Sequence, residues 1–291
     1  MPYVLAVDAG NSKTIALVAS LDGTIVGAGR GGCGDIYDTS RTAPPGMDGV
    51  TQALANLDYA ITSACAMARI EPDALITGAF NMAGADWPED YALLQAEIKA
   101  RGWGQRIHVQ NDALGVLHAG TATNIGVSVV CGTWTAIGSR GPDGRSWHAS
   151  FWLGVGGSVE LSHKALAAVV RSELGLEVPT RLRERVLTFF GLETVEDVLH
   201  QMTSRNPPNH RPAIDGLTPL LLDEAAAGDQ LAFSIVQQHG HAMGEYAHVA
   251  AQRAGIAGTT FALVLAGGVF RHPSSLLSDA VIARVRQDSP Q

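Results

Sequence analysis

Charge is what this sequence has least of. Only 16% of its 291 residues are Asp, Glu, Lys or Arg, and 28 acids against 20 bases leave a net charge of −8. A protein that grips nucleic acid or an anionic membrane surface needs a broad basic field, so neither partner is expected. Cysteine is almost absent: Cys33, Cys65 and Cys131 stand alone with no C-x-x-C pair. That argues against a disulfide framework, a zinc knuckle or a Cys-ligated cluster. No apolar run approaches the roughly 18 residues of a membrane span. The start, Met1-Pro2-Tyr3-Val4-Leu5, runs straight into a strand pattern without the basic and apolar regions of a signal peptide. The expectation is a cytoplasmic protein with reduced thiols. The ten histidines do not cluster for a metal either. His239 and His241 point about 160° apart on one helix and His248 lies about 10.5 Å further along the axis, so they read as packed or exposed side chains.

What is present is apolar material, 46% of residues, and enough length for two compact domains. Tyr3–Asp8 is an apolar run ending in an acid. Ala9-Gly10-Asn11-Ser12-Lys13 is turn chemistry, and Thr14–Ser20 alternates like a strand. Asp22-Gly23 is a hairpin signal, Thr24–Gly29 a third strand, and Gly31-Gly32-Cys33-Gly34 a break. Residues 125–148 repeat the layout: strand Ile125–Cys131, turn Gly132-Thr133-Trp134, strand Thr135–Arg140, turn Pro142-Asp143-Gly144, strand from Arg145. A duplicated three-stranded meander explains the repeat; chance likeness of two hairpins is the alternative. Helices are expected at Pro44–Arg69, Glu89–Arg101, Asp112–Gly120, Ser158–Ser172 and Asp229–Gly255, with a helical, Pro-punctuated insertion at 176–227. Short strands are expected at Leu75–Thr77, Arg106–Gln110 and Phe261–Ala266. Strands alternating with helices indicate α/β lobes, 1–117 and 118–291.

Four places carry chemistry. At Asp8 and Gly10-Asn11-Ser12-Lys13-Thr14, small and hydroxyl residues let several backbone N–H groups face a phosphate. Lys13 adds a cation, and Asp8 at a strand end can hold Mg²⁺ through water. Read alone, this is equally a hairpin with a solvated lysine. Gly132-Thr133-Trp134-Thr135 is a second such turn, with Trp134 read as a core or interface aromatic. Asn111-Asp112 follows a strand and opens a helix, where α/β sites form; Asp112 is there either a proton acceptor or a helix cap. Gly267-Gly268 after an apolar strand admits a flat ligand or close strand–helix packing. In so acidic a chain a nucleotide must be held by backbone N–H groups, Mg²⁺ and a few cations.

These four elements, in this order, resemble the sugar kinase, heat-shock ATPase and actin superfamily. Within it the chain resembles the BadF/BadG/BcrA/BcrD-type ATPase family that includes N-acetylglucosamine kinase. The matching stretches are Val7–Thr14, Ala83-Gly84, Asn111-Asp112-Ala113, Cys131-Gly132-Thr133, Leu153 through Lys164-Ala165-Leu166, and Ala266-Gly267-Gly268. The resemblance implies two ribonuclease-H-like lobes around a central cleft that holds ATP and Mg²⁺. It also implies phosphorylation of a small-molecule sugar, an amino sugar such as N-acetylglucosamine, and a homodimer. By it, Asp112 is the catalytic base and Asp8 organises the metal. Phosphate and nucleotide contacts fall to Gly10, Asn11, Ser12, Lys13, Thr14, Gly132, Thr133, Gly267 and Gly268. Sugar contacts fall to Gly34, Asp35, Asn111, Asp112, Thr135, Ala136 and position 155.

Three departures stand against the family pattern. The usual Gly-Asp-Glu-Gly-Ser loop reads Gly154-Val155-Gly156-Gly157-Ser158, so a sugar-contacting acid is Val155. Asp35 replaces an Asn, keeping an acceptor and losing a donor. The sequence stops at Gln291, where family members continue through a Pro-x-x-Gly-Ala stretch and a helix. Two alternatives follow: an ATPase activator using Cys33 and Cys131 for an iron–sulfur cluster, and a non-catalytic sugar or nucleotide sensor of the same fold.

Overall fold

A computed structural model describes residues 2–37, 47–150, 153–205 and 214–289. The fold is mixed α/β with two sheets. The chain divides into two compact units, one up to Asn124 and one from Ile125. The boundary expected near residue 118 therefore falls inside a helix of the first unit.

The first unit opens with β1 (Tyr3–Ala9), β2 (Thr14–Ser20) and β3 (Ile25–Gly31), an antiparallel meander. Helix α1 (Gly49–Ala68) follows; the helix start expected at Pro44 lies outside the described residues. Asp48 caps α1 by accepting from Thr51 N–H at 2.9 Å, and Arg69 ends it in the left-handed conformation. Then come β4 (Leu75–Met82), α2 (Pro88–Ala100), β5 (Arg106–Asn111) and α3 (Asp112–Gly120). Sheet order is β3-β2-β1-β4-β5, with β4 parallel to both β1 and β5. β4 runs five residues beyond the expected Leu75–Thr77, because Gly78 through Met82 stay paired to β1 and β5.

Glycine decides how α1 docks. At Gly27, Gly29 and Gly31 a Cβ would lie 2.1, 1.9 and 2.1 Å from backbone oxygens of Ala64, Ala60 and Asn56. These alternate residues share one face of β3, so bare backbone there lets the helix axis come close. The core beneath holds Leu5, Val7, Leu57, Ile61, Phe80 and Met82.

The second unit repeats the meander with β6 (Gly126–Cys131), β7 (Thr135–Arg140) and β8 (Ser146–Ala149). Helix α4 (Ser158–Glu173) follows, then α5 (Leu182–Phe190), α6 (Val195–Thr203), α7 (Leu217–Ala226) and α8 (Gln230–Arg253). Part of the expected 176–227 insertion, residues 206–213, lies outside the described residues. Asp229 caps α8 by accepting from Ala232 N–H at 2.9 Å. Strand β9 (Ala262–Ala266) pairs parallel to β6, and α9 (Leu276–Arg286) ends the described fold. Sheet order is β8-β7-β6-β9. In each unit the first meander strand thus gains a parallel neighbour, β4 on β1 and β9 on β6. Among the described residues no helix is long and apolar enough to cross a membrane.

Candidate active site

Carboxylates gather at the carboxyl ends of the parallel strands in the first unit. Asp8 sits on β1 one residue before its end, and Asp112 opens α3 directly after β5. The cap of α3 is Asn111, whose Oδ1 accepts from Ala113 N–H at 3.0 Å. That places Asp112 inside the first turn, where its Oδ1 shares the same Ala113 N–H at 2.8 Å. Asn111 is 1% exposed and its Nδ2 donates to Asp86 Oδ1 at 3.0 Å. The side chain for which the resemblance implied a sugar contact is thus buried and engaged with Asp86.

Burial pushes the Asp112 carboxyl up to about 7, and the negative charges of Asp8, Asp86 and Asp35 push the same way against one hydrogen bond from Ala113. Burial also raises Asp8, opposed by the Lys13 ammonium. The Asp8 side chain keeps accessible surface although protein atoms crowd it, so its desolvation is partial. A carboxyl raised by burial and by neighbouring acids is a place a divalent cation would be favoured. Among the described residues no three His, Cys, Asp or Glu side chains are grouped to enclose a metal. Mg²⁺ takes one or two carboxylates and keeps water or phosphate oxygens for the rest, a demand that Asp8 at the end of β1 and Asp112 after β5 could meet.

The turn after β1 is stapled to the segment 32–37. Gly34 N–H donates to Gly10 O at 3.0 Å, and Thr14, wholly buried, donates its hydroxyl to Gly32 O at 3.0 Å. A Cβ at Gly34 would meet Ala9 Cβ at 2.6 Å and Thr14 Oγ1 at 2.7 Å, so only glycine fits. Asn11 Nδ2 donates to Asp35 Oδ2 at 2.6 Å, and Tyr37 N–H donates to Asp35 Oδ1 at 2.8 Å. Asn11, expected on phosphate, is thus tied to Asp35, expected on sugar. Gly10, Asn11, Thr14, Gly34 and Asp35 are brought together; Ser12 is exposed and Lys13 half-buried beside them.

In the second unit the turn Gly132-Thr133-Trp134 joins β6 to β7, with Trp134 exposed rather than in the core. The Gly-rich stretch 154–157 packs against that turn. Ser158 N–H donates to Gly132 O at 2.8 Å, and a Cβ at Gly157 would lie 2.3 Å from the same oxygen. Thr135, 2% exposed, donates its hydroxyl to Gly156 O at 2.6 Å; Ala136 is 8% exposed. Val155 is turned into the hydrophobic core, which corrects its place as a sugar contact. Gly267, at φ +102°, lets the chain after β9 approach Cys131 O, where a Cβ would stand 2.3 Å away; Gly268 is exposed with open space around it.

Sequence reasoning missed Asp86, and it missed Glu160, Lys164 and His239, which meet at Gly156. The Lys164 Nζ–Glu160 Oε1 distance is 2.6 Å and Lys164 Nζ–His239 Nδ1 is 3.1 Å. The spacing of Glu160 and Lys164, four apart on α4, was the available signal; nothing in the sequence points His239 at them. Cys33 and Cys131 are buried, and burial pushes the Cys131 thiol up to about 12, the opposite of what a thiolate ligand requires.

The comparisons fit this arrangement. A model of the BadF/BadG/BcrA/BcrD ATPase family matches residues 5–289. The N-acetylmuramic acid/N-acetylglucosamine kinase of Clostridium acetobutylicum is 26% identical over 204 residues, 69% of this chain and 64% of that protein. The chain thus spans less than two thirds of that curated relative. A solved candidate N-acetylglucosamine kinase from Chromobacterium violaceum superposes with TM-score 0.68 at 20% identity, covering 99% of this chain and 93% of that one. A ROK family glucokinase from Streptomyces griseus, solved with glucose and AMPPNP, superposes with TM-score 0.59 at 15% identity over 98% and 89%. At such identities the structural likeness establishes a shared fold. The family match, running through both meanders and both glycine turns, is what classifies the sequence: the chain belongs to the BadF/BadG/BcrA/BcrD ATPase family.

Proposed function

We propose that this protein is an ATP-dependent carbohydrate kinase that phosphorylates a hydroxyl of an amino sugar such as N-acetylglucosamine. The observation that carries this reading is the Asp112 carboxyl, freed from capping by Asn111 and raised to about 7 among Asp8, Asp35 and Asp86. A base poised near neutrality can take the hydroxyl proton as that oxygen attacks the γ-phosphorus. The relative from Clostridium acetobutylicum supports the choice of substrate class.

In this reading the backbone of Gly10–Thr14 and of Gly132–Thr133 handles phosphate, with Lys13 as a local cation. Gly267 and Gly268 face the nucleoside. Asp35 accepts a sugar hydroxyl while Asn11 and Tyr37 hold it in place. Mg²⁺, held at Asp8, would neutralise charge developing on the phosphates. The two units correspond to two ribonuclease-H-like lobes, with α5–α7 as the helical insertion. A homodimer and a cytoplasmic location belong to the same proposal.

The test is coupled ADP release with a panel of N-acetylglucosamine, N-acetylmuramic acid, glucosamine and glucose, with Asp112→Asn as the control. Stimulation by an amino sugar at least about 10²-fold above that control is the expected result. If no sugar raises turnover above the control, the kinase reading fails. The second reading is a non-enzymatic sugar sensor, first raised by the apolar Val155 in the loop at 154–157, a ground that its place in the core removes. It would show sugar binding without turnover.

A further inference from the structure

The Gly-rich loop at 154–157 carries no acid of its own, yet a carboxylate lies folded over it. Gly156 N–H donates to Glu160 Oε2, which reaches back from the first turn of α4. A Cβ at Gly156 would stand 2.8 Å from that oxygen and 2.9 Å from the Glu160 Cβ, so the carboxylate fills the space that any side chain at 156 would need. The other oxygen, Oε1, takes the Lys164 ammonium at 2.6 Å. Lys164 also reaches His239 Nδ1 at 3.1 Å, and His239 Nε2 lies 3.0 Å from Gly156 O.

The partners fix every donor in this ring. A carbonyl only accepts, so His239 carries its proton on Nε2; an ammonium only donates, so Nδ1 accepts. His239 is therefore neutral, in keeping with its complete burial. Gly156 O receives Thr135 as well as His239. The ring is thus tied into the Gly132–Thr135 turn, and the Glu160 carboxylate is held by Gly156 N–H and the Lys164 ammonium.

An ionised carboxylate offers about four acceptor positions, and Gly156 and Lys164 fill two. The Glu160 and Lys164 side chains are 30% and 40% exposed, whereas His239 beneath them is fully buried. A loop clamp alone would need one hydrogen bond and no ammonium at the surface. A rigid carboxylate with open acceptor positions beside a half-exposed ammonium is the chemistry that recognises adjacent hydroxyls of a polyol. We propose that Glu160 and Lys164, held in place by His239, bind hydroxyl groups of the acceptor sugar and set its specificity. This rests on the kinase reading above and deepens it.

The experiment measures turnover against sugar and against ATP, with N-acetylglucosamine and glucose, for wild type, Glu160→Gln and Lys164→Met, alongside calorimetric binding of the same sugars and thermal melting. Expected is a rise in sugar KM of at least about tenfold for Glu160→Gln and at least about threefold for Lys164→Met. The ATP KM should stay within about twofold. Lys164→Met, at a half-exposed side chain, decides the matter if Glu160→Gln melts early. An unchanged sugar KM in both variants overturns the inference. So does a raised ATP KM with sugar KM unchanged, which would make the ring a clamp for the phosphate turn. If wild type shows no sugar-stimulated turnover, the kinase reading falls; calorimetry then decides this inference alone, since sugar bound by wild type and lost in Glu160→Gln upholds it and equal or absent binding refutes it.

Discussion

Replacing Asp112 by Asn should make the unliganded protein more stable while removing its activity. The carboxyl has an ordinary value of 3.8 and is raised to about 7 in the fold, burial first and the charge of Asp8 next. For an acid raised on folding, the folded chain holds its proton where the unfolded chain has lost it. Stability then falls as pH climbs from about 4 to about 7 and levels off above. At 1.36 kcal/mol per pH unit the full cost of the charge above pH 7 is roughly 4 kcal/mol. Asp112 is only half-buried and water reaches it, so about 1–3 kcal/mol is the reasonable expectation. Asn has no charge and keeps the Oδ1 that accepts from Ala113 N–H at 2.8 Å. Melting curves of both proteins in chelator, without nucleotide, should diverge as pH rises from 4.5 to 8, with the Asp112→Asn variant ahead by about 3–8 °C at the top. The gain should fall on the transition of the first unit, where Asp112 lies. ADP release with an amino sugar should drop at least about 10²-fold in the same variant. A melting difference that is flat with pH would refute the argument, because Asp112 would then carry no strained charge.

Gly29→Ala should lower the melting temperature of the first unit by several degrees, since the new Cβ would lie 1.9 Å from the Ala60 carbonyl in α1; thermal circular dichroism reads it, and a neutral result would mean that β3 and α1 can separate freely. Asn111→Ala should cost about 1–3 kcal/mol in urea unfolding, through loss of the α3 cap and of the Asp86 hydrogen bond. Lys13→Met should weaken nucleotide binding by calorimetry at least about fivefold and leave sugar binding unchanged. All three thiols should resist a maleimide in the native protein and react together after unfolding, because Cys33, Cys65 and Cys131 are buried.

Much of the fold was legible because its signals are local. Asp22-Gly23 and Pro142-Asp143-Gly144 mark the tight turns of the two meanders, and alternation over Thr14–Ser20 marks a half-buried strand. What was not legible depends on partners distant in sequence. Gly78–Met82 lack strand alternation, yet pairing on both edges carries β4 to Met82. Gly31 read as the start of a chain break and Gly27 and Gly29 as ordinary strand residues, whereas the missing side chains of all three are what lets α1 lie against the strand.

The candidate site divides along the same line. Asp8, Lys13 and Asp112 stand beside turn and strand-end signals, so the sequence could nominate them. What each does is set by neighbours that no short window contains. Asn111, one residue earlier, takes the cap and frees Asp112, while Asp86, 26 positions away, helps raise its carboxyl. Asn11 donates to Asp35, 24 positions on, where Gly34 is stapled to Gly10. On the other unit the apolar Val155 seemed to remove a polar contact. The structure sends that side chain into the core and lays the Glu160 carboxylate over Gly156 instead. Position 155 alone therefore cannot decide whether the loop handles a sugar. The carboxylate that lies over the loop reaches it from α4 and pairs with Lys164, which in turn meets His239 on α8, 75 positions further on.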